Sequence, residues 1–263
     1  MNTKCTCLLV GILLFYSFVV DPVRGEDDTK IVLRVLCYNI QHGRGMDNVV
    51  NLERTANAIK AWNPDLVAVQ EVDKDTQRTN ADQPKLLAEM LKMHYVFGKA
   101  IDYRGGEYGL VVLSRFPILE HQMVLLPPDV QPEQRGVLIA KIGIPDAQGK
   151  VIRFASTHLS VAAQSERDVQ AAKIDTLLSE GIEPTIVAGD FNARPDNNAV
   201  VRFLSNWKDA ADPALGKNVT PDRPRRIDYI FFRSKDPFEV IESRTILDEM
   251  TSDHMPIFSI LSL

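Results

Sequence analysis

The chain has 263 residues, 45% of them hydrophobic and 25% charged, with a net charge of -5 and a pI near 5.6. That is enough for one large domain with a sizeable core, and it excludes a disordered chain. The mild acidic balance also excludes a general pull toward nucleic acid, so a phosphate-bearing partner needs a local cluster of positive charge or a bound cation.

The first 25 residues stand apart. Lys4 supplies a short basic start, Leu8 to Val20 is an apolar run broken only by Gly11, Tyr16 and Ser17, and Val23-Arg-Gly25 offers a cleavage site. An apolar run of about 13 residues falls short of the roughly 20 that span a bilayer. A signal peptide over 1–25 is therefore expected rather than an anchor, and a secreted or periplasmic protein. Cys5 and Cys7 would leave with it, which makes Cys37 a lone, small buried hydrophobe. Residues 26–263 read as one domain, taken as a monomer. Asn218-Val-Thr220 is a sequon that matters only in a host that glycosylates exported proteins.

Ile31 to Asn39 is apolar and β-branched, a buried strand ending in Asn39 and followed by the loop Gln41 to Asp47. Leu52, Ala56, Ile59 and Trp62 recur at helical spacing, so 51–62 is expected to be an amphipathic helix stopped by Asn63-Pro64. Asp65 to Gln70 is the next strand and ends at Glu71. Pro84 to Lys92 reads as a helix, Tyr95 to Phe97 as a short strand, and Asp102 to Gly109 as a loop carrying Tyr103, Arg104, Glu107 and Tyr108. Leu110 to Leu113, then Ile118 to Leu125 after the turn Ser114 to Pro117, read as an antiparallel meander. Gly136 to Ile144 and Val151 to Thr157 form a further strand pair, the second ending in His158.

Ser165 to Ser179 is expected to be helical, with Val169, Ala172, Ile174 and Leu177 on or near one face. Thr185 to Asp190 is an apolar strand that surfaces at Gly189 with Asp190 and Asn192 two residues apart. A short helix over 198–204 follows, then the basic, proline-broken loop Pro221 to Arg226. The strand Ile227 to Phe232 comes next, with Asp228 pointing opposite to Ile227 and Tyr229. A strand over 238–246, the loop Met250 to His254 and a last strand over 256–261 complete the chain.

Asn39, Glu71, His158, Asp190, Asn192, Asp228, Asp253 and His254 thus fall in or at the ends of predicted strands. Hard oxygen donors dominate. Asn39, Glu71 and Asp253 suit Mg²⁺ or Mn²⁺, whereas a zinc site calls for more imidazole or thiolate. Such a cation with carboxylates, an amide and imidazoles is a kit for hydrolysing a phosphate ester. Taken singly, a strand-end Asp or Asn is usually a cap and a His a satisfied core or surface group; Tyr103 and Tyr108 suit packing, and Arg223, Arg225 and Arg226 a solvated loop. The number of coincidences outweighs these readings.

Leu36-Cys-Tyr-Asn39, Val69-Gln-Glu71, Leu113 to Pro117, Ser156-Thr-His158-Leu159, Gly189 to Asn192, Arg226 to Phe231 and Ser252-Asp-His254 resemble, in order, the motifs of the endonuclease/exonuclease/phosphatase superfamily. The resemblance covers Leu33 to Ile260. It implies a DNase I-like, four-layered α/β/β/α sandwich: two mixed, mostly antiparallel β-sheets flanked by helices, with a site at one end. By that resemblance Asn39, Glu71 and Asp253 hold the cation. Asp190 orients or deprotonates water, Asn192 bonds to that water or to the phosphate, His254 contacts the phosphate with its ring fixed by Asp228, and His158 is a second donor. Tyr108, Arg225 and Arg226 are candidate substrate contacts.

Three departures touch specificity: Gln41 stands where several branches have an acid, Leu110-Val111 where many hydrolases read Asn-Ala, and Ser160 where relatives often have an acid. The fold alone names no substrate. A phosphodiesterase or endonuclease-like hydrolase leads; a phospholipid (sphingomyelinase-like), inositol- or sugar-phosphate hydrolase is the alternative, and a catalytically silent phosphate-binding domain the reading from another class.

Overall fold

The computed structural model describes residues 30–128, 133–145, 149–215, 218–219 and 226–263. The predicted leader over 1–25, Thr220 of the sequon, and Arg223 and Arg225 of the basic loop lie outside these residues. Among the described residues no helix is long and apolar enough to cross a membrane.

In chain order the strands are β1 (Val32–Asn39), β2 (Leu66–Lys74), β3 (His94–Tyr103), β4 (Gly106–Ser114), β5 (Ile118–Leu125), β6 (Gly136–Gly143), β7 (Val151–His158), β8 (Thr185–Asp190), β9 (Trp207–Asp209), β10 (Asn218–Val219), β11 (Asp228–Arg233), β12 (Glu239–Thr245) and β13 (Ile257–Ser262). One sheet has the order β10-β12-β13-β1-β2-β4-β3 and the other β5-β6-β7-β8-β11-β9. Among the described residues only β1 with β2, β7 with β8 and β10 with β12 run parallel; the remaining pairs are antiparallel.

Both faces of each central strand are buried, which is why β1, β2 and β8 read as continuous apolar runs rather than alternating ones. Leu33, Val35 and Cys37 of β1 face Phe154, Ile186 and Ala188 of the second sheet across an inner core. Tyr38, Val67 and Val69 turn the other way and pack beneath α1 (Leu52–Lys60) and α2 (Gln83–Leu91) through Ala56, Ile59 and Leu87. Val187, Phe231 and Trp207 pack beneath α3 (Gln164–Leu178) and α4 (Asn198–Phe203). Three apolar layers therefore hold four structural layers, each buried Leu, Ile or Phe contributing about 1.5–3 kcal/mol. The starts of α1, α2 and α4 carry side-chain caps: Asn51, Asp82 and Asn197 accept from the backbone N–H of Arg54, Lys85 and Ala199.

The structure departs from the sequence expectations at five places. The segment 102–109 is not a loop: Tyr103 pairs with Gly106 around a two-residue turn, with Arg104 and Gly105 at φ 45° and 82°. Positive φ at both positions matches the twist of a hairpin, and the glycines belong to that turn. β4 and β5 are not meander neighbours, because the turn Ser114 to Pro117 carries the chain from one sheet to the other. β2 does not end at Glu71 but runs to Lys74 through a bulge. On α3 the buried face is Gln170, Ala171, Ile174 and Leu178, while Val169 is exposed. β9 and β10 were too short to read from periodicity.

Candidate active site

Alternation along the strands builds the site. Asn39 continues the inward series Val35, Cys37; Asp190 continues Ile186, Ala188; His158 follows Phe154 and Ser156; Asp228 precedes Ile230 and Phe232. At one end of the sandwich the inward positions thus change from apolar to polar on several strands at once. Gly189 permits the approach of β7 and β8 that aligns His158 with Asp190, since a Cβ there would lie 2.1 Å from the Thr157 carbonyl oxygen.

Glu71 breaks the alternation. Regular pleating would put it on the outer face with Val67 and Val69. The register shift between Val69 and Val72 and its φ of 59° turn it inward instead. Asn192, at φ 47°, also occupies the left-handed region that short polar side chains tolerate. Strained backbone of this kind persists where the surroundings over-determine it.

Asn39 joins the two sheets. Its Nδ2 donates to Glu71 Oε1 at 3.0 Å and to Asp190 Oδ2 at 3.1 Å, while its Oδ1 accepts from the Gln41 backbone at 3.1 Å. Ser252 Oγ donates to the Asn39 carbonyl at 2.8 Å and ties the Asp253–His254 loop to β1. Gln41 Nε2 donates to Asp253 Oδ2 at 2.7 Å. Burial raises the Glu71 carboxyl above the usual range; the Asn39 bond and the His254 charge oppose this, and Asp253 adds to it. A buried carboxylate repelled by a second one is a place where a hard cation relieves both, and the donor set of oxygens fits such an ion.

Asp190 and Asp228 face each other across the antiparallel β8–β11 pair. His254 lies between them, with Nδ1 2.9 Å from Asp228 Oδ2 and Nε2 3.7 Å from Asp190 Oδ2. Burial would lower its pKa, but the charge and hydrogen bond of Asp228, with Asp190 and Asp253, raise it to about 10. Burial and the Asp228 charge push Asp190 up to about 7, against the His254 charge and bonds from the Asn192 backbone and Asn39. Oxygen and nitrogen atoms of Asp190, Asp228 and His254 lie within 4.8 Å of one another, the spacing of a metal cluster. His254 already supplies a positive charge to that pair, whereas Glu71 and Asp253 have no cationic side chain bonded to them among the described residues.

His158 is buried and its pKa is well below the usual value, first through burial and then through Arg135 and His254. The neutral ring has Nε2 3.0 Å from Asn192 Nδ2 and Nδ1 3.1 Å from Arg135 Nη1. Asn192 Nδ2 also donates to the Leu159 carbonyl at 3.0 Å, and its backbone N–H to Asp190 Oδ1 at 2.8 Å. These groups open onto a cavity of about 410 Å³ whose wall includes Glu71, Asp190, Asn192, His254, Tyr108 and Arg135.

The structure thus brings together Asn39, Glu71, His158, Asp190, Asn192, Asp228 and His254, with Asp253 at the edge. Tyr108 lines the cavity with its hydroxyl pKa raised by burial. Arg226 sits elsewhere: it forms a bidentate pair with Asp209, lies 4.2 Å from the Tyr229 ring centroid, and is spent on the fold rather than presented to the cavity. Arg135, Arg78 and Gln70 were not singled out from the sequence. Arg135 had a usable signal, since it directly precedes a strand whose Gly136 pairs with His158.

The chain and its fold are similar to those of known proteins. Residues 36–254 match the model of the Endonuclease/Exonuclease/phosphatase family. The uncharacterized protein YbhP of Escherichia coli K12 is 29% identical over 178 residues, covering 64% of this chain and 69% of its own. An endonuclease/exonuclease/phosphatase from Beutenbergia cavernae superposes with a TM-score of 0.72 at 25% identity, over 88% of this chain and 72% of that one. A mannosyl-6-phosphatase from Bacteroides thetaiotaomicron shares the fold, with a TM-score of 0.70 at 20% identity over 87% of this chain and 99% of that one. Members of the matched family generally use a divalent metal. The chain belongs to the endonuclease/exonuclease/phosphatase family, and it is a phosphoester hydrolase of the DNase I-like fold.

Proposed function

We propose that the protein is an exported, Mg²⁺- or Mn²⁺-dependent phosphoesterase that cleaves a compact phosphate ester by attack of water at phosphorus. The observation that carries this is the single Asn39 amide bonded to Glu71 on one side and Asp190 on the other. It couples a place for a cation to a place for a water.

Glu71 and Asp253, with the remaining lone pair of Asn39 Oδ1, would hold the ion. Bound there, the ion would neutralise phosphoryl and leaving oxygens. Asp190, fixed by the Asn192 backbone and Asn39, accepts the proton of the attacking water. The Asn192 side chain, its amide nitrogen held by the Leu159 carbonyl and the His158 ring, keeps Oδ1 to accept from that water. His254 donates to the phosphate through Nε2 while Asp228 holds Nδ1, so little reorganisation is needed as charge develops. His158 acts here by fixing Asn192 rather than as the second phosphate donor.

The cavity supports a small ester over a duplex. Its volume lies at the low end of the range of about 300–1,000 Å³ for ligand pockets. Arg226 of the basic loop is paired with Asp209, and the net charge of -5 gives no polyanion footprint. The mannosyl-6-phosphatase that shares the fold is in line with a small substrate. The test is a panel of sugar phosphates, inositol phosphates, phospholipid head-group esters and plasmid DNA, with Mg²⁺ or Mn²⁺. Turnover of small esters well ahead of DNA is expected; DNA cleaved as fast as the best small ester would restore the nuclease reading.

A further inference from the structure

The cavity has a second charged wall that the chemistry above does not use. Arg78 lines it, on the segment that follows β2. Its guanidinium is fixed on one side by Asp73, which is fully buried: Nε donates to Oδ2 at 2.9 Å and Nη2 to Oδ1 at 2.6 Å. Asp73 is itself pinned, since the Thr76 hydroxyl donates to its Oδ2 at 2.7 Å and the Gln83 side chain accepts its backbone N–H at 3.0 Å. The guanidinium carbon lies 4.8 Å from the Tyr103 ring centroid and 5.8 Å from that of Tyr108.

A carboxylate that takes Nε and Nη2 leaves Nη1 on the far side of the planar fork. Nη1 of Arg78 bonds to nothing among the described residues, and the side chain keeps 22% of its surface exposed. The other guanidinium of the cavity differs. Arg135 is held by Glu133 at 2.6 Å and lies against His158, with 5% of its side chain exposed. Arg78 shares no partner with Asn39, Asp190 or His254. Its contacts are Asp73 and the two tyrosines from the β3–β4 hairpin. Neutralising Asp73 accounts for one edge of the guanidinium only; the other belongs to a partly exposed side chain that lines a substrate-sized cavity.

The geometry points to Arg78 as a specificity residue that binds a second anionic group, a carboxylate or a further phosphate, on the leaving-group side of the substrate. This rests on the phosphoesterase reading for the location of the scissile ester. Preorganisation by Asp73 and Thr76 matters because the receptor loses little freedom on binding, and charge-assisted bonds of this kind are stronger than neutral ones. Tyr103 and Tyr108 lie against the guanidinium and line the same cavity of about 410 Å³, so the anion must be carried on a compact body. The substrate class is therefore a small phosphoester with two separated negative charges.

The test compares phenyl phosphate with 4-carboxyphenyl phosphate, each as monoester and as methyl diester, in wild type, Arg78→Lys and the double variant Asp73→Asn/Arg78→Gln. The double variant removes both members of the pair and leaves no buried carboxylate unpartnered. Wild type is expected to favour the carboxylated ester in kcat/KM, and both variants to shrink that preference about tenfold or more, mainly through KM. No preference in wild type, an unchanged preference in the variants, or an equal fall on both esters would overturn the proposal, the last by showing a purely structural role. Calorimetry with benzylphosphonate and 4-carboxybenzylphosphonate separates the two readings. If wild type hydrolyses no ester, the phosphoesterase reading fails. A carboxylate-dependent gain in affinity that Arg78→Lys removes would still support the anion site, and its absence would overturn it.

Discussion

Asp190 and Asp228 are register partners on antiparallel strands, two buried carboxylates with the His254 ring between them. Neither strand would carry an acid at this inward position for packing, since Ile186, Ala188, Ile230 and Phe232 fill the equivalent places further along. The pair is tolerable because the imidazolium between them compensates part of the charge, and Asp190, pushed up to about 7, need not carry its full charge at neutral pH.

That compensation has a pH signature in the metal-free protein. The folded pKa of His254 is raised to about 10 from an ordinary value of 6.5. Its contribution to stability is fully present below about 6.5 and is lost as pH rises through 10, because only the charged ring gains from Asp228 and Asp190. NMR titration of the imidazole should show protonation persisting well above neutrality, and Asp228→Asn should bring the titration down toward its ordinary value. A ring that titrates near 6.5 in both proteins would contradict the geometry.

Glu71→Gln keeps the side-chain shape and the turn at φ 59° but removes the carboxylate beside Asn39. Affinity for Mn²⁺ measured by calorimetry should fall at least about tenfold, the scale expected when a charged oxygen donor is lost. Metal binding as tight as in wild type would place the cation elsewhere, at Asp190, Asp228 and His254 being the nearest alternative.

Arg233 clamps the opposite end of β8. It is buried, pairs with Asp236 through two bonds of 2.8 Å, and donates to the carbonyls of Glu180, Gly181 and Glu183, while Asp236 accepts the Thr185 N–H at 2.7 Å. Arg233→Ala leaves a buried carboxylate and several carbonyls unpartnered and should cost about 3–5 kcal/mol in denaturant unfolding. A loss under about 1 kcal/mol would show that the clamp is dispensable.

Much of the fold was legible because buried strands in a four-layered sandwich are apolar on both faces, so β1, β2 and β8 announce themselves as unbroken runs. The polar ends of β1 and β8 marked Asn39 and Asp190 for the same reason, and that of β7 marked His158. Periodicity could not show that Glu71 reaches the inner face through a bulge, nor that Ser114 to Pro117 switches sheets, because both depend on pairing partners distant in sequence. Arg78 and Arg135 escaped notice since an arginine between elements reads as solvated until its partners, Asp73 and His158, are in place. Arg226 failed in the opposite sense. Its loop reads as solvated with Arg225 and Arg226 as candidate contacts, and Asp209 on a three-residue strand pairs with Arg226.

The central claim is that one site, joined through Asn39, combines a cation with a water-activating carboxylate. The most direct test is turnover of p-nitrophenyl phosphate and bis(p-nitrophenyl) phosphate by wild type and Asp190→Asn across a titration of Mg²⁺ or Mn²⁺. Wild type should hydrolyse at least one ester, stop in EDTA and recover on adding metal. Asp190→Asn should still bind metal but turn over at least about a hundredfold more slowly. Wild-type turnover undiminished in EDTA, or an Asp190→Asn variant as fast as wild type, would contradict it.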